Sequence, residues 1–167
     1  MQELTKHKPL RLSLVTNMET PNFKGVELHD RLVWAAENLK PYKTEYRVVF
    51  EDQNEKCAVI MIPDPMWMAC AIQGGIHQPA WVWWELEKDE AQPDFKEHHR
   101  LHLITDTEPV GPMTEEEAIE HLIQINISST VWKNLSSSNR VRLVICREDQ
   151  LPKNNDFRDA WQIKQAA

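Results

Sequence analysis

Glycine is scarce, 4 of 167 residues, about a third of its usual ~7% share. That scarcity disfavours architectures built on glycine-rich phosphate loops. Cysteine is scarce too: Cys57, Cys70 and Cys146 are three in number and widely separated. An odd, sparse set fits buried, reduced thiols and not a disulfide framework. No apolar run approaches the ~18 residues of a membrane span. The opening stretch, Met1 to Lys8, lacks the apolar core of a signal peptide, so the chain is expected to stay in the cytosol of the cell that makes it. Basic charge is the minority sign, 19 Lys and Arg against 26 Asp and Glu, for a net charge of −7. Phosphate backbones are bound by concentrated Lys and Arg, so nucleic acid is an unfavourable partner. Lys6, Lys8 and Arg11, and Arg140 and Arg142, are too thinly spread to argue otherwise.

Catalytic signatures are missing as well. There is no Gly-x-Ser-x-Gly, no P-loop and no paired Asp-x-Asp for magnesium. Glu85, Glu87, Asp89 and Glu90 form an acidic cluster, but acid–base work needs one carboxyl in an apolar setting, and these four read as a solvated face. The cysteines sit inside apolar runs, which favours inert burial. No enzyme activity and no cofactor are expected.

What remains is an ordinary globular composition, 41% hydrophobic and 27% charged, long enough for one compact domain over residues 1–167. Residues 10–15 alternate apolar and polar, a strand with one wet face. A helix follows, its stripe made by Leu28, Leu32, Ala35, Ala36 and Leu39, with Glu27 and Arg31 as an i,i+4 pair and Pro41 as the stop. Residues 44–50 and 57–62 read as a hairpin across a polar turn. Residues 66–73 fit either a buried strand or a short helix framed by Asp64, Pro65 and Gly74-Gly75. Residues 80–86 and 101–105 read as strands. Thr114-Glu115-Glu116-Glu117 is a capping box in front of Ala118, Ile119, Leu122 and Ile123. Ser136 to Asn139 is a loop and residues 141–146 a strong strand. The expected class is α+β, a mostly antiparallel sheet with two main helices.

The aromatic and histidine content supplies the candidate sites. Tryptophan is abundant at 7. Trp34 lies about 100° off the centre of its helix stripe. On a strand, Trp83 and Trp84 point to opposite faces. Core packing is the ordinary use of such side chains, and a protein contact surface is the alternative. His98, His99 and His102 are the best metal candidates, yet a zinc site wants three or four converging ligands and the set is incomplete. No metal is expected there.

The ending, Leu151-Pro152-Lys153-Asn154-Asn155-Asp156-Phe157-Arg158-Asp159-Ala160-Trp161, carries a resemblance. Together with the hairpin, Pro63-Asp64-Pro65, the capping box and the strand at 140–146, it resembles a group of small bacteriophage and prophage proteins. These end close to Leu-Pro-x-x-x-x-Phe-Arg-x-Ala-Trp and are often encoded near tail or tail-fibre genes. The chain departs from them at Asn154-Asn155, where Asp-Arg is usual. Residues 66–112 look like an insertion, and residues 1–43 have no counterpart. The resemblance implies a virion structural or assembly protein acting by protein–protein contact, with other phage proteins or copies of itself as partners. It would be found in the host cytoplasm during production and in the virion if structural. Trp34, Trp83, Trp84, Phe157, Arg158 and Trp161 are the expected interface residues. An acidic inhibitor of a host nucleic-acid-handling or defence protein is the alternative, and a small metal-binding protein or enzyme using the segment from His98 to His102 a weaker one.

Overall fold

A computed structural model describes residues 20–51, 57–91, 97–132, 142–153 and 163. The expected strand at 10–15, the loop from Ser136 to Asn139, and Phe157, Arg158 and Trp161 lie outside these residues. The architecture is α+β: a three-stranded antiparallel sheet and six helices among the described residues.

The sheet has β1 (Tyr46–Phe50) at its centre, flanked by β2 (Val59–Met61) and β3 (Leu143–Arg147). Val48 faces Met61 on one side and Ile145 on the other, which fixes the register. The period-2 alternation then sends Tyr46, Val48, Phe50, Met61, Leu143 and Ile145 to one face. All six join the main core, with Met68 and Ala71 from α2 (Pro65–Gln73) and Ala118, Ile119 and Ile123 from α5 (Glu115–Asn126). The hairpin and the strand near residue 141 are where the sequence places them. Pairing the two distant segments through β1 is what closes the sheet.

Two helices are set by their caps. Asp64 accepts hydrogen bonds from the N–H groups of Met66 and Trp67 at 2.9 and 2.8 Å, Pro65 fills the first turn, and Gly74 ends α2 at φ 79°. That resolves the ambiguity at 66–73 in favour of helix. Thr114 and Glu117 close the capping box of α5 in both directions, at 3.2 and 2.8 Å. A short α6 (Ser129–Trp132) follows.

The segments at 80–86 and 101–105 are corrected. They form α3 (Ala80–Glu90) and α4 (Glu97–Asp106), which raises the two expected main helices to six among the described residues. In α3 the buried pair is Val82 and Leu86, four residues apart, and they pack with Ile104 of α4. β-propensity is a preference for a half-buried pleated surface and not a fixed backbone property. Here a helix gives Val82 and Leu86 one shared face, and its polar side carries the Lys88–Glu85 pair and the Arg100–Glu90 pair.

In α1 (Leu28–Asn38) the buried residues are Arg31 and Ala35, while Leu32 is 43% exposed. The expected stripe is therefore rotated. Arg31 turns inward, donating from Nε to the Val26 carbonyl at 2.8 Å, and Glu27 remains exposed. Their expected pairing is replaced by this inward turn.

Candidate contact surface and a buried polar centre

Three of the six expected interface residues fall within the described part. Trp34 is half-buried, packed against Ala35, Cys70 and Ile76 and set edge-on to Phe23 at 5.4 Å. Trp83 packs on Val82, Leu86 and Ile104. Trp84 donates its indole N–H to the Gln124 carbonyl at 3.0 Å and stacks on Trp132 at 5.8 Å. On a helix, Trp83 and Trp84 are 100° apart and not on opposite faces, so two neighbouring elements, α4 and α5, can take one each.

Among the described tryptophans the exposed one is Trp81, 51% accessible on the first turn of α3. Leu32 and Val33 on α1 are also exposed. The two helices are neighbours: Leu28 of α1 packs into the cluster of Val82, Leu86 and Ile104, and Leu32 is the next residue along the same α1 face. The abundance of tryptophan raises a contact surface only as the alternative to core packing. Picking Trp81 from among the tryptophans required the helical phase of α3, which the local composition concealed.

His98 and His102 lie four residues apart on α4, the helix that stands where a strand was expected at 101–105. His102 is exposed and pairs with Asp106 at 2.8 Å. No group of three metal-capable side chains converges among the described residues. The acidic cluster is spread along α3, where Glu85 and Glu90 are held by Lys88 and Arg100. Cys70 is buried, and desolvation, with Asp64 as a smaller influence, pushes its thiol up to about 11. Burial also raises the Cys146 thiol. Both are protonated, poorly nucleophilic thiols at neutral pH.

A second arrangement has no local signal in the sequence. Between α2 and α3 the chain runs through Gly74-Gly75-Ile76-His77-Gln78-Pro79, most of it buried. A Cβ on Gly74 would stand 2.3 Å from the Pro112 nitrogen, and Gly74 has a positive φ, so only glycine fits there. The Gly75 N–H donates to the Val110 carbonyl at 2.7 Å, and the Val110 N–H to the His77 carbonyl at 2.8 Å. His77 stacks on Trp67 at 4.7 Å with its Nε2 3.2 Å from the Trp67 carbonyl oxygen. His121 of α5 lies 6.1 Å from the same indole. Burial drives the His77 imidazole down to about 4, and the neighbouring His121 pushes the same way against the Trp67 carbonyl. His121 is also lowered by burial, with the backbone of Gln78 opposing. Arg31 Nη1 reaches the Ile76 carbonyl at 3.4 Å. The Gln78 amide nitrogen and oxygen, Arg31 Nη2 and His121 Nε2 are buried without hydrogen-bond partners among the described residues.

On the outer side of this segment is a cleft of about 250 Å³, lined by Thr20, Phe23, Gly74, Gly75, Glu108 and Pro112 among others. Its polar rim is occupied internally: Gln73 donates to Thr20 at 2.7 Å, and Lys24 pairs with Glu108 at 2.9 Å. No family model, curated protein or solved structure matches this chain.

Proposed function

We propose that this chain is a bacteriophage virion structural or assembly protein, with the tail as the first place to look, and that it works by protein–protein contact and not by catalysis. The observation that carries the contact reading is Trp81, half exposed on α3 beside an α1 that leaves Leu32 and Val33 open. Large aromatics on a surface lose stabilisation unless a partner covers them, and tryptophan is among the residues that dominate protein interfaces. The Leu-Pro-x-x-x-x-Phe-Arg-x-Ala-Trp ending supports the phage setting. Partners are other phage proteins or further copies of the chain. No helix among the described residues is long and apolar enough to cross a membrane.

The charge of −7 favours a second reading, an acidic inhibitor that occupies a host nucleic-acid-handling or defence protein in place of its anionic ligand. The two readings separate in one experiment. Particles and assembly intermediates of the virus encoding the chain are fractionated on a density gradient, and the chain is quantified by mass spectrometry. Recovery with particles or subassemblies supports the virion reading. Recovery only as a small soluble species bound to one host protein contradicts it and favours the inhibitor.

A further inference from the structure

We infer that the segment of residues 74–79 is an acid-released latch: neutral His77 and His121 let it sit clamped among α1, α2 and α5, and protonating the pair frees it while the sheet and α5 stay folded. The geometry that carries this is the sharing of one indole by two buried imidazoles. His77 and His121 are 7% and 9% exposed and lie 4.7 and 6.1 Å from Trp67. A neutral imidazole suits this setting, since His77 Nε2 can donate to the Trp67 carbonyl and leave the other ring nitrogen unprotonated. A second proton would put a cation into an apolar enclosure.

The surrounding charges would not compensate it. From α1 comes Arg31, a fully buried cation bound to the Ile76 carbonyl of the segment itself. From α2 come the Cys70 thiol, neutral at these pH values, and Asp64, exposed and engaged by the N–H groups of Met66 and Trp67. From the 107–112 loop comes Glu108, exposed and paired with Lys24. From α5 come Glu117, exposed and turned back to the Thr114 N–H, and Glu120, exposed and accepting from Gln124. From α3, which packs on α5, come Glu85, held by Lys88, Glu90, held by Arg100, and Glu87, exposed. Among the described residues the two imidazoles thus act on each other, with the carboxylates of the surrounding elements exposed or held by other groups. Like charges at short range in a poorly hydrated site repel strongly.

Release is local because the segment packs in a smaller cluster, Ile76 with Phe23, Ala35 and Cys70, and not in the core beneath the sheet. Its backbone holds to the 107–112 loop through the Gly75 and Val110 N–H groups and to α1 through Arg31. The sheet and α5 instead share a continuous apolar core of Tyr46, Val48, Met68, Ala118, Ile119 and Ile123. A segment packed in a separate, smaller cluster can open below the free energy of global unfolding.

The test is amide hydrogen exchange followed by NMR on the full chain, with protection referenced to the unfolded-chain rate at each pH. From pH 7 to about 4, protection of the Gly75 and Val110 amides should fall on the order of tenfold or more while the β1 amides keep theirs. The double variant His77→Gln, His121→Gln should hold its Gly75 and Val110 protection constant over the same range. Loss of all amides together in the wild type, no loss, or the same pH dependence in the variant would overturn the proposal. Should the double variant fail to fold, the imidazole carbon shifts of the wild type decide. Midpoints well below the ordinary histidine value for both rings, alongside the amide loss, support the latch, and an ordinary midpoint for either overturns it.

Discussion

Arg31 and Arg47 are both buried guanidiniums, and the molecule houses them in opposite ways. Arg47, on β1, donates to the carbonyls of Thr44 and Tyr46 at 3.0 and 2.7 Å and meets the Glu148 carboxylate at 2.7 Å. Arg31 has two carbonyls, at 2.8 and 3.4 Å, an Nη2 without a partner, and no carboxylate among the described residues. Gln78, two residues beyond Ile76 in the same segment, and His121 are also incompletely satisfied. The sheet region therefore resembles an ordinary core whose polar groups are paired, where apolar burial sets the stability. The region around residues 76–78 spends stability on polar groups held away from water, and an unpaired buried polar group costs about 1–3 kcal/mol.

The first way to sharpen that contrast is a deletion in the sheet region. Ile119→Ala empties a site only 1% exposed beneath the sheet, and the loss of unfolding free energy should be about 4 kcal/mol by urea titration. A loss under about 1 kcal/mol would show that this core is loosely packed and the contrast false.

Acid should strike the other region. The folded-state pKa of His77 lies at about 4, below its ordinary 6.5. The unfolded chain therefore binds the proton more readily. The stabilisation is fully present above pH 6.5 and lost as pH falls toward 4, with His121 adding in the same direction. Unfolding free energy measured across that window should drop by about 3 kcal/mol from His77 alone. A His77→Gln variant whose stability falls by the same amount would show that other groups carry the acid sensitivity.

The two regions also differed in how far their sequences could be read. Local chemistry announces the sheet region: the alternation at Tyr46, Val48 and Phe50, the aspartate–proline–glycine frame of α2, and the capping box at Thr114. Each signal acts within a few residues and needs no tertiary partner. In α3, Trp81-Val82-Trp83-Trp84 has the composition of a strand, and helix wins because Leu28, Ile104 and the α5 carbonyl at Gln124 receive Leu86, Val82, Trp83 and Trp84 on the packing surface that α1, α4 and α5 form around the helix. That surface exists only after the chain folds. The buried centre was illegible for the same reason. His77 and His121 are 44 residues apart in sequence and meet only through Trp67. Arg31 read as half of a surface ion pair, because nothing near it in sequence signals that Ile76 will offer it a carbonyl.

Smaller effects follow the same division. Thr114→Ala removes a cap hydrogen bond at an exposed helix start and should cost about 1 kcal/mol. A much larger loss would mean that α5 depends on its cap more than on its buried face. Gln78→Met replaces two unpartnered polar atoms with an apolar chain of similar shape. It should leave thermal stability unchanged or raise it by up to about 1 kcal/mol. A clear fall would show that the amide has partners, and the region around residues 76–78 would lose its distinction.

The functional reading turns on Trp81. The full chain carrying Trp81→Ala should keep its melting temperature within about 2 °C, because half of the side chain already faces water. Its incorporation into particles or subassemblies, quantified against the wild type by mass spectrometry, should fall on the order of tenfold or more if Trp81 is a contact residue. Equal incorporation by a folded variant would contradict the claim that the α1–α3 face is where this protein meets its partners.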